Sequence, residues 1–122
     1  MKDTTTTVQD LKKMAAAFVG EREWGKYHRP KNLAMSIAIE AGELMELFQW
    51  LDQNESDVLL SNARSRKMVA DEMADVLAFL LSLSNATGID LAASFESKMA
   101  HNARKYPVAE VRGHYKRPKK RE

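Results

Sequence analysis

Two apolar helical runs of this 122-residue chain each contain a pair of carboxylates at spacing i, i+3. The first pair is Glu40 and Glu43, and the second is Glu72 and Asp75. On a helix, both members of a pair leave nearly the same face. Burying ionised carboxylates on an apolar face is costly unless a positive charge compensates them. The apolar residues within one turn of these acids are Ile37, Leu44, Leu47, Val76 and Phe79.

The four acids favour a metal site. A hard divalent cation such as Mg²⁺ takes oxygen ligands, and carboxylates from two helices supply them. The alternative is that the acids lie at the boundary of the apolar face and are solvated, which is the better interpretation for one isolated pair. Because each of two pairs lies on the apolar side of its helix, the sequence favours a metal site made of Glu40, Glu43, Glu72 and Asp75.

Composition and periodicity predict an all-α fold. Hydrophobic residues make up 44% of the chain and aromatic residues only 7%, and no run of β-branched residues suggests a strand. Apolar residues at helical spacing predict four main helices, which we expect to form a four-helix bundle. Pro30 should begin a helix, Gly88 should end one, and Asp90 should cap the next. The predicted helices cover about 7–23, 31–51, 65–85 and 90–106, with residues 1–6 disordered and 52–62 a loop.

We expect one domain over residues 1–107 and a basic tail over residues 108–122. The tail holds six Lys or Arg and two Glu, a net charge of +4, and the rest of the chain carries −2. Such a tail either contacts a polyanion or, more commonly, is only a solvated end. The absence of cysteine excludes disulfides, thiolate zinc sites and a cysteine nucleophile. No stretch reads as a membrane span or a signal peptide, so the expected location is the cytoplasm.

The pattern Glu40-x-x-Glu43 followed by Glu72-x-x-Asp75 resembles the metal-binding signature of the MazG-like all-α nucleotide pyrophosphohydrolases. The resemblance covers roughly residues 10–107 and is closest to the dCTP pyrophosphatase branch. The segments that carry it beyond the acids are Trp24-x-x-x-His28-x-Pro30-x-Asn32-Leu33, Phe48-Gln49-Trp50, and Lys98-x-x-x-Asn102-x-x-Lys105-Tyr106-Pro107.

This resemblance implies Mg²⁺-dependent hydrolysis of a nucleoside triphosphate to a monophosphate and pyrophosphate, with nucleotide-pool cleaning as its purpose. Glu40 and Glu43 would be catalytic as well as metal-binding, and spacing leaves open which of them accepts the proton of the attacking water. Glu72 and Asp75 look like the firmer metal anchors. The resembling enzymes associate, so a homodimer or homotetramer is expected.

Two tryptophans and a histidine are candidate substrate contacts. Trp24 and Trp50 could each stack on a nucleobase or serve in packing and subunit contact. His28 is equally open to a substrate contact or a structural hydrogen bond.

Three further residues complete the predicted binding set. Lys98 and Asn102 share a helix face at i, i+4 and suit phosphate or sugar, although without the resemblance an exposed face is the commoner explanation. We expect that face opposite the acids. Phe79 stands where the dCTP pyrophosphatase pattern tends to have Tyr. The missing hydroxyl leaves the base and sugar preference open.

Other functions are compatible with parts of the sequence. A diphosphatase or dUTPase-like activity would use the same acids. A helical nucleic-acid-binding module would use the basic tail and leave the acids structural, although we do not expect nucleic acid or a membrane as partner. A ferritin-like di-iron bundle fits poorly, because neither His28 nor His101 has the Glu-x-x-His spacing to these acids.

Overall fold

The computed structural model describes residues 1–114, and every regular element in that range is helical. The all-α prediction is therefore confirmed, whereas the four-helix bundle stays a prediction. The described elements are α1 (Val8–Glu21), a 3₁₀ helix (Trp24–Tyr27), α2 (Pro30–Glu46), α3 (Gln53–Ser61), α4 (Ala63–Thr87), α5 (Leu91–Lys105) and α6 (Val108–Val111).

The chain forms two compact units, one over Met1–Gly88 and one that begins at Ile89. The predicted division into residues 1–107 and 108–122 remains a prediction. Most of that basic tail, residues 115–122, lies outside the described residues.

Local sequence explains where the helices begin and end. Thr7 and Asp10 form a capping box at the start of α1, in which Asp10 Oδ2 accepts a hydrogen bond from the Thr7 N–H at 2.9 Å. This backbone contact holds the pKa of Asp10 below its ordinary value. Pro30 occupies the first turn of α2, and Asp90 Oδ1 accepts from the Ala93 N–H at 2.8 Å to cap α5, both as predicted. Gly88 ends α4 with a φ of 71°, which glycine adopts without a steric penalty.

Within the first unit, α4 is the central helix. It packs most extensively against α2 and also against α1 and α3. The buried apolar side chains in the described residues are Leu33 on α2 and Val69 and Leu81 on α4. Because α2 and α4 lie side by side, the acid-bearing faces of these two helices can meet.

Three predictions of local structure were wrong. Residues 52–62 were predicted as a loop, but Gln53–Ser61 form α3 and pack on α4. Several of the polar residues that suggested a loop lie at the start of α3, where Asp52 Oδ1 accepts a hydrogen bond from the Glu55 N–H at 2.8 Å and caps the helix. Helix α2 ends at Glu46 rather than Leu51, after which the chain turns. Residues 1–6 were predicted as disordered, yet the Thr5 and Thr6 N–H groups both bond to the Lys2 carbonyl, at 3.0 and 2.9 Å.

Much apolar surface stays exposed in the single chain. Large side chains more than half exposed occur on both acid-bearing helices, and they include Met35, Ile39 and Met45 on α2 and Met73 on α4. Within residues 1–114 no single helix is long and apolar enough to cross a membrane. Helices α4 and α5, which are separated by a short break, reach the required length and apolar composition only when they are taken together.

Candidate metal centre and adjacent cavity

Three acids from two helices converge at the contact between α2 and α4. Glu40 and Glu43 come from α2, Glu72 comes from α4, and one carboxylate oxygen of each lies within 4.8 Å of the others. The i, i+3 spacing on α2 gives two ligands on one face, and packing against α4 supplies the third. An ion with metal–oxygen distances of about 2.0–2.1 Å holds opposite ligands about 4.2 Å apart. Three oxygens within 4.8 Å of one another are therefore compatible with joint binding of one ion of that size.

The electrostatics of the cluster disfavour three free anions. Burial raises the pKa of Glu40 from 4.5 to about 7, assisted by a hydrogen bond that a protonated Glu40 shares with Glu43 and by the charges of Glu43, Asp75 and Glu72. Burial also raises the pKa of Glu72, and the charges of Glu43 and Asp75 raise it further. The group therefore needs protons or a cation to relieve its repulsion.

Two acceptor oxygens point to a cation rather than to a structural role. Glu40 Oε2 and Glu72 Oε2 are buried and have no hydrogen-bond partner. A buried carboxylate oxygen without a donor is costly, because it has lost its water without replacement. The donor set consists only of carboxylate oxygens, which suits a hard cation such as Mg²⁺ and not a soft metal. The residues present therefore fit a divalent cation.

Asp75, the fourth predicted ligand, lies outside the group of three. Its charge nevertheless contributes to the raised pKa values of both Glu40 and Glu72, so it is close enough to act on them. Asp75 also lines a cavity of about 720 Å³ in the same unit. It thus borders the acid cluster on one side and the cavity on the other.

The cavity gathers three of the predicted substrate contacts. Trp24, His28 and Phe79 all line it, and the rings of His28 and Phe79 have centroids 6.4 Å apart at an angle of 33°. The indole of Trp24 is 44% exposed, which leaves part of its surface free for a ligand. A volume of this size with mostly apolar walls is typical of a small-molecule site.

Sequence reasoning missed one wall of this cavity. The helical spacing of the apolar residues of α1, among them Leu11, Met14 and Phe18, predicted only an amphipathic helix. These residues line the cavity, together with Tyr27 of the 3₁₀ helix and the buried Ser82 of α4. Helical periodicity identifies an inward face, but it does not distinguish a packed core from a cavity wall.

His28 borders a second cavity of about 560 Å³ as well, between α1, the start of α2 and α4. Its Nδ1 atom is buried and has no hydrogen-bond partner. An imidazole nitrogen in that state has capacity to bind a ligand group. This agrees with the prediction of a substrate contact without testing it.

The remaining predicted contacts are Trp50, Lys98 and Asn102. Trp50 follows α2, is 86% exposed, and is not among the cavity-lining residues. Lys98 and Asn102 lie on α5 in the second unit, where Lys98 is exposed and Asn102 is half-buried. Their expected position opposite the acids stays a prediction.

Comparison with known proteins places this arrangement in a family. The model of the MazG-like family matches residues 35–118, which include all four predicted acids. The chain belongs to the MazG-like family. The prediction from the acid motifs is thereby confirmed.

Individual relatives are similar over most of this MazG-like chain. dCTP pyrophosphatase 1 of Bos taurus is 36% identical over 107 residues, which is 88% of this chain and 63% of that protein. The Homo sapiens protein of the same name is 37% identical over 102 residues, covering 84% of this chain and 60% of its own length. The chain therefore spans about three fifths of the length of these curated relatives.

A solved structure supports the same grouping. The crystal structure of a pyrophosphatase from Archaeoglobus fulgidus superposes with a TM-score of 0.78 and is 39% identical. The match covers 88% of this chain and 98% of that one.

Proposed function

We propose that this chain is a Mg²⁺-dependent nucleoside triphosphate pyrophosphohydrolase, with dCTP or a similar deoxynucleotide as substrate. One observation carries the proposal: Asp75 borders both the cluster of Glu40, Glu43 and Glu72 and the cavity that contains Trp24. A base held in the cavity would extend its phosphates past Asp75 toward the acids. The similarity to dCTP pyrophosphatases supports the choice of substrate.

The cluster would hold the cation through oxygens of Glu40, Glu43 and Glu72, with Asp75 at its edge. When bound, Mg²⁺ supplies charge neutralisation for the phosphates and lowers the pKa of a coordinated water. Without a cation, the carboxylates and the triphosphate would repel one another. Glu40 Oε2 and Glu72 Oε2, which are buried and have no hydrogen-bond partner, are the oxygens best suited to bind the cation.

The same acids would accept the proton that the attacking water loses. Water attacks the α-phosphorus, the bond from that phosphorus to the bridging oxygen breaks, and pyrophosphate leaves with the bonding electrons. The proton lost by water passes to a carboxylate of Glu40 or Glu43. A carboxylate oxygen of either residue that does not contact the cation is suited to accept that proton.

Trp24 and His28 would bind the base and sugar end. Trp24 presents a partly exposed indole for stacking, and His28 offers an unpaired ring nitrogen beside Phe79. Phe79 contributes only an apolar ring. Lys98 and Asn102 would hold the phosphate chain on the side opposite the acids.

Association into a dimer or tetramer completes the proposal. Met35, Ile39 and Met45 on α2 and Met73 on α4 are each more than half exposed, and association would remove such apolar side chains from water. Trp50, which is 86% exposed, would then contact a second copy or complete its site. The biological role would be removal of surplus or non-standard deoxynucleotides from the cytoplasm.

The proposal is tested with a panel of NTPs and dNTPs, with and without Mg²⁺, and with products separated by ion exchange. Equal amounts of monophosphate and pyrophosphate, abolished by EDTA, are expected, with dCTP among the best substrates. Orthophosphate with a diphosphate would indicate a different reaction. Hydrolysis of none of the nucleotides would refute the enzyme and favour the nucleic-acid-binding alternative.

A further inference from the structure

The two aromatic side chains of segment 18–24 contact each other at the cavity. The rings of Phe18 and Trp24 have centroids 5.8 Å apart and planes at 75°, an edge-to-face arrangement. Both residues line the 720 Å³ cavity, and they are 50% and 44% exposed. A half-exposed indole on a four-residue 3₁₀ helix has few contacts to fix it, so the contact with Phe18 matters for its orientation.

Arg22 also contacts Phe18. Its guanidinium carbon lies 3.8 Å from the centroid of the Phe18 ring, and its Nη1 donates a hydrogen bond to the Phe18 carbonyl at 3.0 Å. One side chain thus contacts both the ring and the backbone of the same residue. A planar guanidinium suits this geometry, whereas a lysine ammonium cannot stack in the same way. The exposed ion pair of Arg22 with Glu21, at 3.7 Å, adds little.

The backbone between Arg22 and Trp24 makes the contact possible. Glu23 has φ 53° and ψ 36°, and it is the only non-glycine residue with positive φ in residues 1–114. This left-handed residue lies between α1 and the 3₁₀ helix, and the Trp24 ring that follows it contacts the Phe18 ring. Such a conformation is unfavourable for a residue with a Cβ and persists only where the surrounding structure maintains it.

We propose that Arg22 and Phe18 are positioning residues that hold the Trp24 indole at the cavity and thereby set the affinity for the base. This inference rests on the proposed function, in which the cavity receives a nucleobase. Arg22 acts through Phe18 and does not touch the substrate.

The first arm of the test needs no substrate. In a Trp50→Phe background Trp24 is the sole tryptophan, because the chain contains two. Time-resolved fluorescence anisotropy should show faster local motion of Trp24 in Arg22→Met and Phe18→Leu. Arg64→Met, at the exposed start of α4, is the matched control and should leave that motion unchanged. Far-UV circular dichroism checks that each variant keeps its helices.

The second arm measures dCTP hydrolysis with Trp50 intact. Arg22→Met should raise KM about two- to five-fold, and Phe18→Leu about two- to ten-fold, with kcat changed less than about two-fold. Arg22→Lys keeps the charge but not the stacking and should give an intermediate KM. A purely structural role for Arg22 would instead lower stability without this split between KM and kcat.

The two arms separate the inference from the function on which it rests. Unchanged Trp24 motion in both variants overturns the positioning role, and so does faster motion with an unchanged KM. Absence of turnover in the unmodified protein overturns the proposed function. In that case the anisotropy of the ligand-free variants still decides whether Arg22 and Phe18 hold Trp24.

Discussion

The metal-free protein should lose stability as pH rises from about 4.5 to about 7, and Glu40→Gln should remove much of that loss. Folding raises the pKa of Glu40 from 4.5 to about 7. The folded state therefore binds the Glu40 proton more tightly than the unfolded chain does. The stabilisation that comes from this bound proton is complete below pH 4.5 and is lost as pH passes through about 7.

The expected loss of stability follows from the difference between the pKa values of Glu40 in the folded and unfolded states. A ten-fold change in acidity is worth about 1.4 kcal/mol, so the full difference corresponds to about 3.4 kcal/mol. That value is an upper limit, because Glu43 is exposed and can turn its charge toward water when Glu40 ionises. We expect the free energy of unfolding to fall by about 1–2 kcal/mol between pH 4.5 and pH 7.5.

Urea unfolding at a series of pH values, in EDTA, measures this fall directly. Glu40→Gln should show less than half of it, and saturating Mg²⁺ should reverse it in the unmodified protein. Glu46→Gln, an exposed residue on the same helix and outside the cluster, is the matched control. Equal pH dependence in Glu40→Gln and Glu46→Gln would refute the electrostatic account of the cluster.

Three further predictions concern the proposed site. Glu72→Gln and Asp75→Asn should weaken Mg²⁺ binding in calorimetry and reduce turnover while leaving the circular dichroism unchanged; full activity in both would remove the four-acid site. Trp24→Ala should raise KM by a factor that corresponds to about 1–3 kcal/mol of stacking, and an unchanged KM would assign Trp24 to packing. Lys98→Ala should reduce kcat/KM about ten-fold or more through loss of a charge-assisted contact. Lys13→Ala on α1 is the control, and equal effects of the two substitutions would contradict a phosphate contact at Lys98.

The sequence was sufficient for the all-α class and for the approximate positions of α1, α2, α4 and α5. Helical spacing placed Glu40 and Glu43 on one face, and the side-by-side packing of α2 and α4 brought Glu72 to them. The position of Asp75 beside the group of three was not predictable, because spacing along one helix does not give the register between two.

Other features depend on tertiary contacts that no local pattern encodes. Helix α3 was missed because Asp52 was taken for a loop residue, although it is an N-cap, and because packing on α4 stabilises a segment with many polar residues. The periodicity of Leu47 to Leu51 continued past the true end of α2, which left Trp50 with an incorrect helical assignment. The helical spacing of Phe18 predicted a helix but not its position at a cavity.

The site of water attack on a nucleoside triphosphate is the most direct test of the proposed reaction. The protein is incubated with dCTP and Mg²⁺ in ¹⁸O-labelled water, and the products are analysed by mass spectrometry. Attack at the α-phosphorus predicts one ¹⁸O in dCMP and none in pyrophosphate. Label in the pyrophosphate, or release of labelled orthophosphate, would contradict the proposed arrangement of substrate and acids.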